Sequence, residues 1–203
     1  MEALRNVPPT TWLIIGGAGL LASGTVLLWR RYRLYRARKA LHATITAAAF
    51  DHLVDVLVPD GMGGSFHVDF LLLTPRGILV IDLRDVRGNV FGGDQMSEWT
   101  VMDGPHRSTF ANPQSGLYDR IAAVKALAGE MPVEGRIVFT RRARFPKGLP
   151  TWTLTIDSLR SEFPAVDRSA LSTVVGRFEA EWAHVKASVS PSTLSQVRPV
   201  AVP

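Results

Sequence analysis

Two aspartates lie inside the most apolar part of the chain, and they limit what it can fold into. Phe66 to Thr74 reads FHVDFLLLT and Gly77 to Asp85 reads GILVIDLRD, with only Pro75-Arg76 between them. Both runs have strand length and strand-forming residues, and apolar side chains fill both faces, which implies a sheet covered on both sides. A carboxylate in such a strand is costly unless it is paired or bound to a metal. If Pro75-Arg76 is a two-residue loop, residues whose numbers sum to 151 face each other, so Asp69 opposes Asp82 and His67 opposes Arg84. Two carboxylates on one face, with Cβ atoms about 5 Å apart, repel unless something cationic sits between them. A divalent ion, Mg²⁺ or Mn²⁺, would do so. Thr74-Pro75-Arg76-Gly77 also suits a type I turn with a glycine bulge, which would slip the register by one residue.

The remaining pattern places this hairpin in an α/β fold. Residues 30–52 predict a continuing helix, and Val54 to Val58 a short strand closed by the turn-rich Pro59 to Gly64. Asn89 to Asp103 holds two weaker strands around Gly92-Gly93, the second over Trp99 to Met102. Pro113 to Ala128 has helical spacing (Leu117, Ile121, Val124, Leu127), with Asn112 as N-cap and Pro113 at the first helical position. Arg136 to Thr140 and Thr151 to Ile156 read as further strands, followed by a short helix from Asp157. An amphipathic helix from Ser169 to Ala187 occupies the C-terminal segment 166–187, and residues 188–203 form a Ser/Pro/Val-rich tail expected to be disordered. The expectation is a mixed central sheet flanked by helices over residues 45–165.

Net charge is +5, but its distribution excludes the obvious reading. Residues 1–39 carry seven basic residues and one acid, a surplus of six; residues 40–203 carry sixteen basic and seventeen acidic, a balance of −1. The soluble part therefore lacks the broad basic surface of a strong nonspecific nucleic-acid binder. The surplus follows Thr11 to Trp29, 19 residues without a charge, bracketed by Trp12 and Trp29. Along a helix those tryptophans would stand about 26 Å apart, close to the hydrocarbon thickness of a bilayer. Charges after the apolar run, with no small-residue cleavage site, argue against a secretory signal peptide. The sequence therefore predicts a short extracytoplasmic segment over 1–10, a transmembrane helix over 11–29 and a basic juxtamembrane helix over 30–44. The cluster RRYRLYRARK orients the C-terminal domain toward the cytoplasm of a single-pass protein in the cell (inner) membrane and lies beside anionic lipid headgroups. Ala18/Ala22 and Gly19/Ser23 are small-residue pairs through which two anchors could pair as a homodimer, although such residues are common in any membrane helix.

With no cysteine, disulfide scaffolds, cysteine-ligated zinc and thiol nucleophiles are excluded. The five histidines show no metal-ligand spacing; His67 stands out only because it shares a strand face with Asp69. Gly61 to Gly64 and Gly92-Gly93 lack the strand-to-helix setting of a phosphate loop. Arg141, Arg142, Arg144 and Lys147 form a small basic loop that suits solvent and could touch a phosphate backbone.

The run VDFLLLTPRGILVIDLRDVRGNV, followed by Glu98-Trp99, Asp103-Gly104 and Phe110-Ala111-Asn112-Pro113, resembles the nuclease-related domain, NERD, over about residues 45 to 160. The resemblance implies a restriction-endonuclease-like fold whose active site is an aspartate followed, on the next strand, by an acid-x-Lys. On this chain the aspartate is Asp69 and the acid is Asp82; together they would hold Mg²⁺ or Mn²⁺, which would activate water against a phosphodiester of nucleic acid. Arg84 stands where the family has its catalytic lysine, and arginine keeps its proton in proteins, so it can steady negative charge but not act as a base. Asp82 replaces the usual glutamate, Ala47-Ala48-Ala49 lacks the Gly-Glu common in the preceding helix, and Gly116 stands where the family has a glutamine after Asn-Pro, Gln114 being too early. Two readings follow: a membrane-anchored, metal-dependent nuclease with Asp69, Asp82 and Arg84 as its site, or an inactive nuclease-fold module that binds nucleic acid or a protein partner at the membrane.

Overall fold

A computed structural model describes residues 9–167 and 171–192, with the side chains of 9–23, 171–175 and 177 outside that set. The chain divides into two units, Met1–Ala43 and Thr44–Pro203. The first unit is a single helix as far as it is described: α1 (Pro9–Thr46) runs through it and ends just inside the second. The described side chains from 24 to 43 are almost all solvent-facing, including Val26, Leu27, Leu28, Trp29, Tyr32, Leu34 and Tyr35. Arg33 lies over the Trp29 ring at 4.8 Å and Arg36 over Tyr32 at 5.8 Å.

The transmembrane helix expected over 11–29 is helical in backbone, yet no helix among the described residues is long and apolar enough to cross a membrane. The reason is one of extent. Of the uncharged run only residues 24–29 have described side chains before Arg30 begins the basic cluster. Side chains 11–23, and residues 1–8 of the expected extracytoplasmic segment, lie outside the described residues.

The second unit is built on two sheets. β1 (Asp51–Pro59), β2 (Ser65–Thr74) and β3 (Gly77–Arg84) form an antiparallel meander. Next come β4 (Gly88–Phe91), β5 (Glu98–Asp103), β6 (His106–Ala111) and helix α2 (Pro113–Ala128). Then follow β7 (Val133–Phe139), the two-residue β8 (Ala143–Arg144), β9 (Thr153–Thr155), α3 (Ile156–Glu162), α4 (Leu171–Ser188) and β10 (Ser190–Pro191). The main sheet runs β10-β1-β2-β3-β7-β9, with β3, β7 and β9 parallel, so it is mixed as the pattern implied. β4, β5, β6 and β8 build a separate four-stranded sheet, β6-β5-β4-β8, where a single sheet was expected.

Three boundaries differ from the sequence expectation for tertiary reasons. The helix expected to continue to residue 52 stops at Thr46, because Asp51, His52 and Leu53 pair with Leu73, Leu72 and Leu71 of β2. The strand expected over 151–156 shrinks to 153–155, since Ile156 opens α3 with Thr155 as its cap. The expected disordered tail is ordered at its start: Ser190 and Pro191 add an edge strand to β1, and residues 193–203 lie outside the described set, as do 168–170 ahead of α4.

The core lies on the face of the main sheet covered by α2 and α4. Leu71, Leu73, Ile78, Val80 and Ile137 line that face, with Leu117 and Val124 of α2 and Trp182 and Val185 of α4 in the same buried cluster. Gly135 on β7 allows the close approach of α2, since a Cβ at that position would lie 2.5 Å from Ile121 Cδ1. Trp99 of the second sheet reaches the main sheet, its ring stacked on that of Phe139 at 6.1 Å.

Candidate functional site

The β2–β3 turn decides the register. Phe70 pairs with Ile81, Leu71 with Val80 and Thr74 with Gly77, so Pro75-Arg76 is a two-residue loop and the bulged alternative does not occur. Gly77 takes φ +117°, and a Cβ there would fall 2.2 Å from the Pro132 carbonyl oxygen, so the turn demands glycine. One step beyond the last paired residues, Asp69 stands across from Asp82.

The row does not end on β3. On its other side β2 pairs with β1 through Val54–Phe70 and Val56–Val68, which sets Asp55 opposite Asp69. Three carboxylates, Asp55, Asp69 and Asp82, thus run across three neighbouring strands. His67, two residues before Asp69 on the same face, reaches between the first two: Nε2 lies 3.5 Å from Asp55 Oδ1 and Nδ1 lies 3.8 Å from Asp69 Oδ1. Asp55 takes φ +53°, a left-handed conformation uncommon outside glycine but tolerated best by Asp and Asn. Its carbonyl accepts a hydrogen bond from Ser192 N at 2.7 Å, just beyond β10.

The other end of the row is guanidinium-rich. Asp82, with a side chain 4% exposed, accepts a hydrogen bond from Arg84 Nη2 at 2.7 Å. Arg120 comes from α2 and places Nη1 3.6 Å from the same Oδ2 atom. It also donates from Nε to the His67 carbonyl at 2.6 Å and from Nη1 to the Gly116 carbonyl at 2.7 Å. The absent side chain at Gly116 is what admits it: a Cβ there would stand 2.9 Å from Arg120 Nη1. The position where the resemblance expects glutamine is therefore occupied, in space, by an arginine from one turn later.

Asp69 sits between these environments. Burial pushes its carboxyl above the ordinary carboxylate value and the Asp82 charge pushes it further. The hydrogen bond accepted by Oδ2 from Leu83 N at 2.8 Å, with His67 and Arg84, opposes the rise without cancelling it. A partly buried carboxylate that resists ionising while accepting from the backbone is disposed to take a cation.

The expected site residues Asp69, Asp82 and Arg84 are therefore brought together, with His67 beside them. Sequence reasoning missed Asp55 and Arg120. Asp55 carried the same signal as Asp69, an acid inside VDVLV, but the loop 60–64 hid its register. Arg120 carried none beyond its four-residue spacing from a glycine. Gln114 serves a different purpose: its side chain donates to Asp94 Oδ1 and to the Thr151 carbonyl, while Asn112 caps α2 as expected. In the basic loop Arg141 pairs with Asp157 and Arg142 with Asp85, so two of its cations are already compensated.

Comparison with known proteins agrees with this geometry. No curated protein and no solved structure matches the chain. The nuclease-related domain family matches residues 34–140, just over half of the chain, which takes in the β1–β2–β3 meander, β4, β5 and β6 of the second sheet, α2 and β7. With the facing Asp69–Asp82 pair inside that match, this chain belongs to the NERD family.

Proposed function

We propose that this NERD protein is a membrane-anchored, metal-dependent phosphodiesterase acting on nucleic acid. The observation that carries the reading is the juxtaposition of Asp69 and Asp82 on adjacent buried strands, with Arg84 hydrogen-bonded to Asp82. The donor set fits a hard divalent cation, because the row offers carboxylate oxygens beside a buried polar atom, His67 Nε2, which makes no hydrogen bond among the described residues. Asp69 and Asp82 would hold Mg²⁺ or Mn²⁺, and the ion would supply a nucleophilic water and charge neutralisation at the phosphoryl group.

The chain's own residues do the rest. Arg84 orients Asp82 and presents a partly exposed guanidinium to the negative charge that builds on phosphate oxygens. Its Nε is buried and unpaired in the described contacts, a donor that a phosphate oxygen would satisfy. Arg120 fixes the spacing of α2 from β2 through the His67 carbonyl. Arg84 donates hydrogen bonds but does not accept the proton of the attacking water.

Plasmid nicking by the full chain with Mg²⁺ or Mn²⁺ tests the reading, alongside Asp69→Asn, Asp82→Asn and Arg84→Lys. Activity in the parent chain that is lost in both aspartate variants supports it; identical behaviour of all three refutes it. The Arg84–Asp82 ion pair specifically favours a second reading, an inactive nuclease-fold module that binds nucleic acid or a protein partner at the membrane. Silence in the parent chain with activity in Arg84→Lys would select that reading.

The membrane part rests on the uncharged residues 11–29 followed by the exposed Arg/Tyr-rich stretch of α1, which would lie against anionic headgroups with the C-terminal unit in the cytoplasm. Sedimentation with membranes that resists carbonate and high salt supports an anchor; release by salt alone refutes it. Cross-linking through the small-residue pairs at 18/22 and 19/23 tests whether two anchors pair.

A further inference from the structure

The carboxylate row is chemically lopsided. Arg84 and Arg120 both approach Asp82 Oδ2, so the β3 end is compensated by protein cations. At the β1 end, the His67 imidazole lies between Asp55 and Asp69, 3.5 Å from the one and 3.8 Å from the other. One ligand atom from each of these three residues lies within 4.8 Å of the others. The ring nitrogen turned toward Asp55, Nε2, is buried and makes no hydrogen bond, although a buried imidazole nitrogen ordinarily finds a partner. Cis donors on a metal bound at about 2.1 Å stand about 3.0–3.5 Å apart. The 3.5 Å between His67 Nε2 and Asp55 Oδ1 is already at that separation.

We propose that Asp55, His67 and Asp69 form a binding site for a divalent first-row transition ion, with Mn²⁺ preferred over Mg²⁺. One nitrogen and two carboxylate donors set the preference, because imidazole adds affinity for transition ions and little for Mg²⁺, which favours an oxygen shell rich in water. The site shares Asp69 with the phosphodiesterase reading and places the ion on the β1 side of it, leaving Asp82 to the two arginines. Arg120 ties the site to α2, since its hydrogen bond to the His67 carbonyl fixes the strand segment that carries the imidazole.

The test is calorimetric titration of Mn²⁺ and Mg²⁺ into the full chain in detergent after removal of metals by a chelator. The parent chain is expected to bind one Mn²⁺ at least about tenfold more tightly than Mg²⁺. Asp55→Asn and His67→Gln are expected to weaken Mn²⁺ by about tenfold or more, the loss seen even when a ligand's outer partner is removed. Asp82→Asn is expected to weaken Mn²⁺ less than either of these, since Arg84 and Arg120 already compensate that carboxylate. Asn suits position 55 because it tolerates the left-handed backbone there; should it still unfold the chain by circular dichroism, His67→Gln decides alone. Absence of Mn²⁺ binding, equal affinity for the two ions, or loss in Asp82→Asn with none in His67→Gln overturns the proposal. A chain that binds Mn²⁺ in this pattern yet nicks no plasmid refutes the nuclease reading and leaves the site standing.

Discussion

Replacing Arg84 by methionine keeps an unbranched stem of similar reach and removes the charge that faces Asp82. The guanidinium and carboxylate are in hydrogen-bond contact at 2.7 Å, with Asp82 4% exposed and Arg84 33% exposed. Charge centres about 4 Å apart at an effective dielectric of about 20 attract by about 4 kcal/mol. Two features reduce that. Arg84 is partly screened by water, and Arg120 remains 3.6 Å from the same oxygen after the substitution. Halving for both gives a destabilisation of about 2 kcal/mol, below the 3–5 kcal/mol of breaking a fully buried pair. In a domain of this size that is a fall in melting temperature of about 4–8 °C. Asp82→Asn should cost less, about 1 kcal/mol, because the orphaned Arg84 can turn toward solvent whereas an orphaned Asp82 cannot. The double variant has no charge left to strand, so it should cost about 1.5 kcal/mol, giving a coupling of about 1.5 kcal/mol. Urea unfolding of the four proteins measures all three numbers. Additivity within about 0.5 kcal/mol, or an Arg84→Met variant as stable as the parent, would refute the reasoning, since either means that Asp82 reaches water without its partner.

Three further outcomes follow from particular contacts. Gly135→Ala should destabilise by about 1–3 kcal/mol, because the new methyl meets Ile121 Cδ1 at 2.5 Å and Leu117 Cδ1 at 2.9 Å; adding Ile121→Val, which deletes the nearest atom, should recover part of the loss in thermal unfolding. For Asp51, burial raises the carboxyl value, but hydrogen bonds from Trp182 Nε1 at 2.8 Å, Lys186 Nζ at 3.0 Å and the His52 amide outweigh it and leave the carboxyl below its ordinary 3.8. The stabilisation is present above pH 3.8 and lost as pH falls through the lowered native value, so Asp51→Asn should flatten the acid limb of a stability–pH curve; an unchanged limb would contradict the contact between α4 and β1. Asp69 runs the other way: its raised carboxyl imposes no penalty below pH 3.8 and a full one above its native value, so metal-free Asp69→Asn should be more stable than the parent at neutral pH and indistinguishable from it in acid. A less stable Asp69→Asn at neutral pH would show that the carboxylate is compensated without a cation.

What was legible in the sequence was local. Acids within apolar runs, joined by a Pro-Arg pair, narrowed the hairpin to two registers, and the two-residue loop of the structure selects the one that sets Asp69 against Asp82. The cap at Asn112 and the helix behind it were legible for the same reason. Asp55 was not, although it too is an acid in an apolar run. Its strand returns through Asp60 to Gly64, a loop whose turns are set by Asp60 Oδ1 accepting from the Met62 and Gly64 amides, and nothing in residue spacing foretells that closure. The end of α1 was misplaced because helix-forming residues at 47–52 yield to the pairing of Asp51–Leu53 with β2, a contact some twenty residues away. The second sheet was misread as an extension of the first because two of its connections run through the two-residue strand β8 and the pairing of β4 with β5.

Arginine at position 84 changes the division of labour along the whole row. A lysine there would be a compact charge able to release a proton; a guanidinium instead holds its proton and grips one carboxylate oxygen. Asp82 is thereby held by protein cations, with Arg120 adding a second guanidinium 3.6 Å from the same oxygen. Charge left uncompensated on Asp69 must then find its partner on the other side, and there the chain supplies His67 and Asp55. Substitution at 84, the glycine at 116 and the acid at 55 are thus three parts of one electrostatic arrangement. Seen singly, the first two read as decay of a nuclease site; together with the third they fit the proposed arrangement, in which a cation would sit on the β1 side of Asp69.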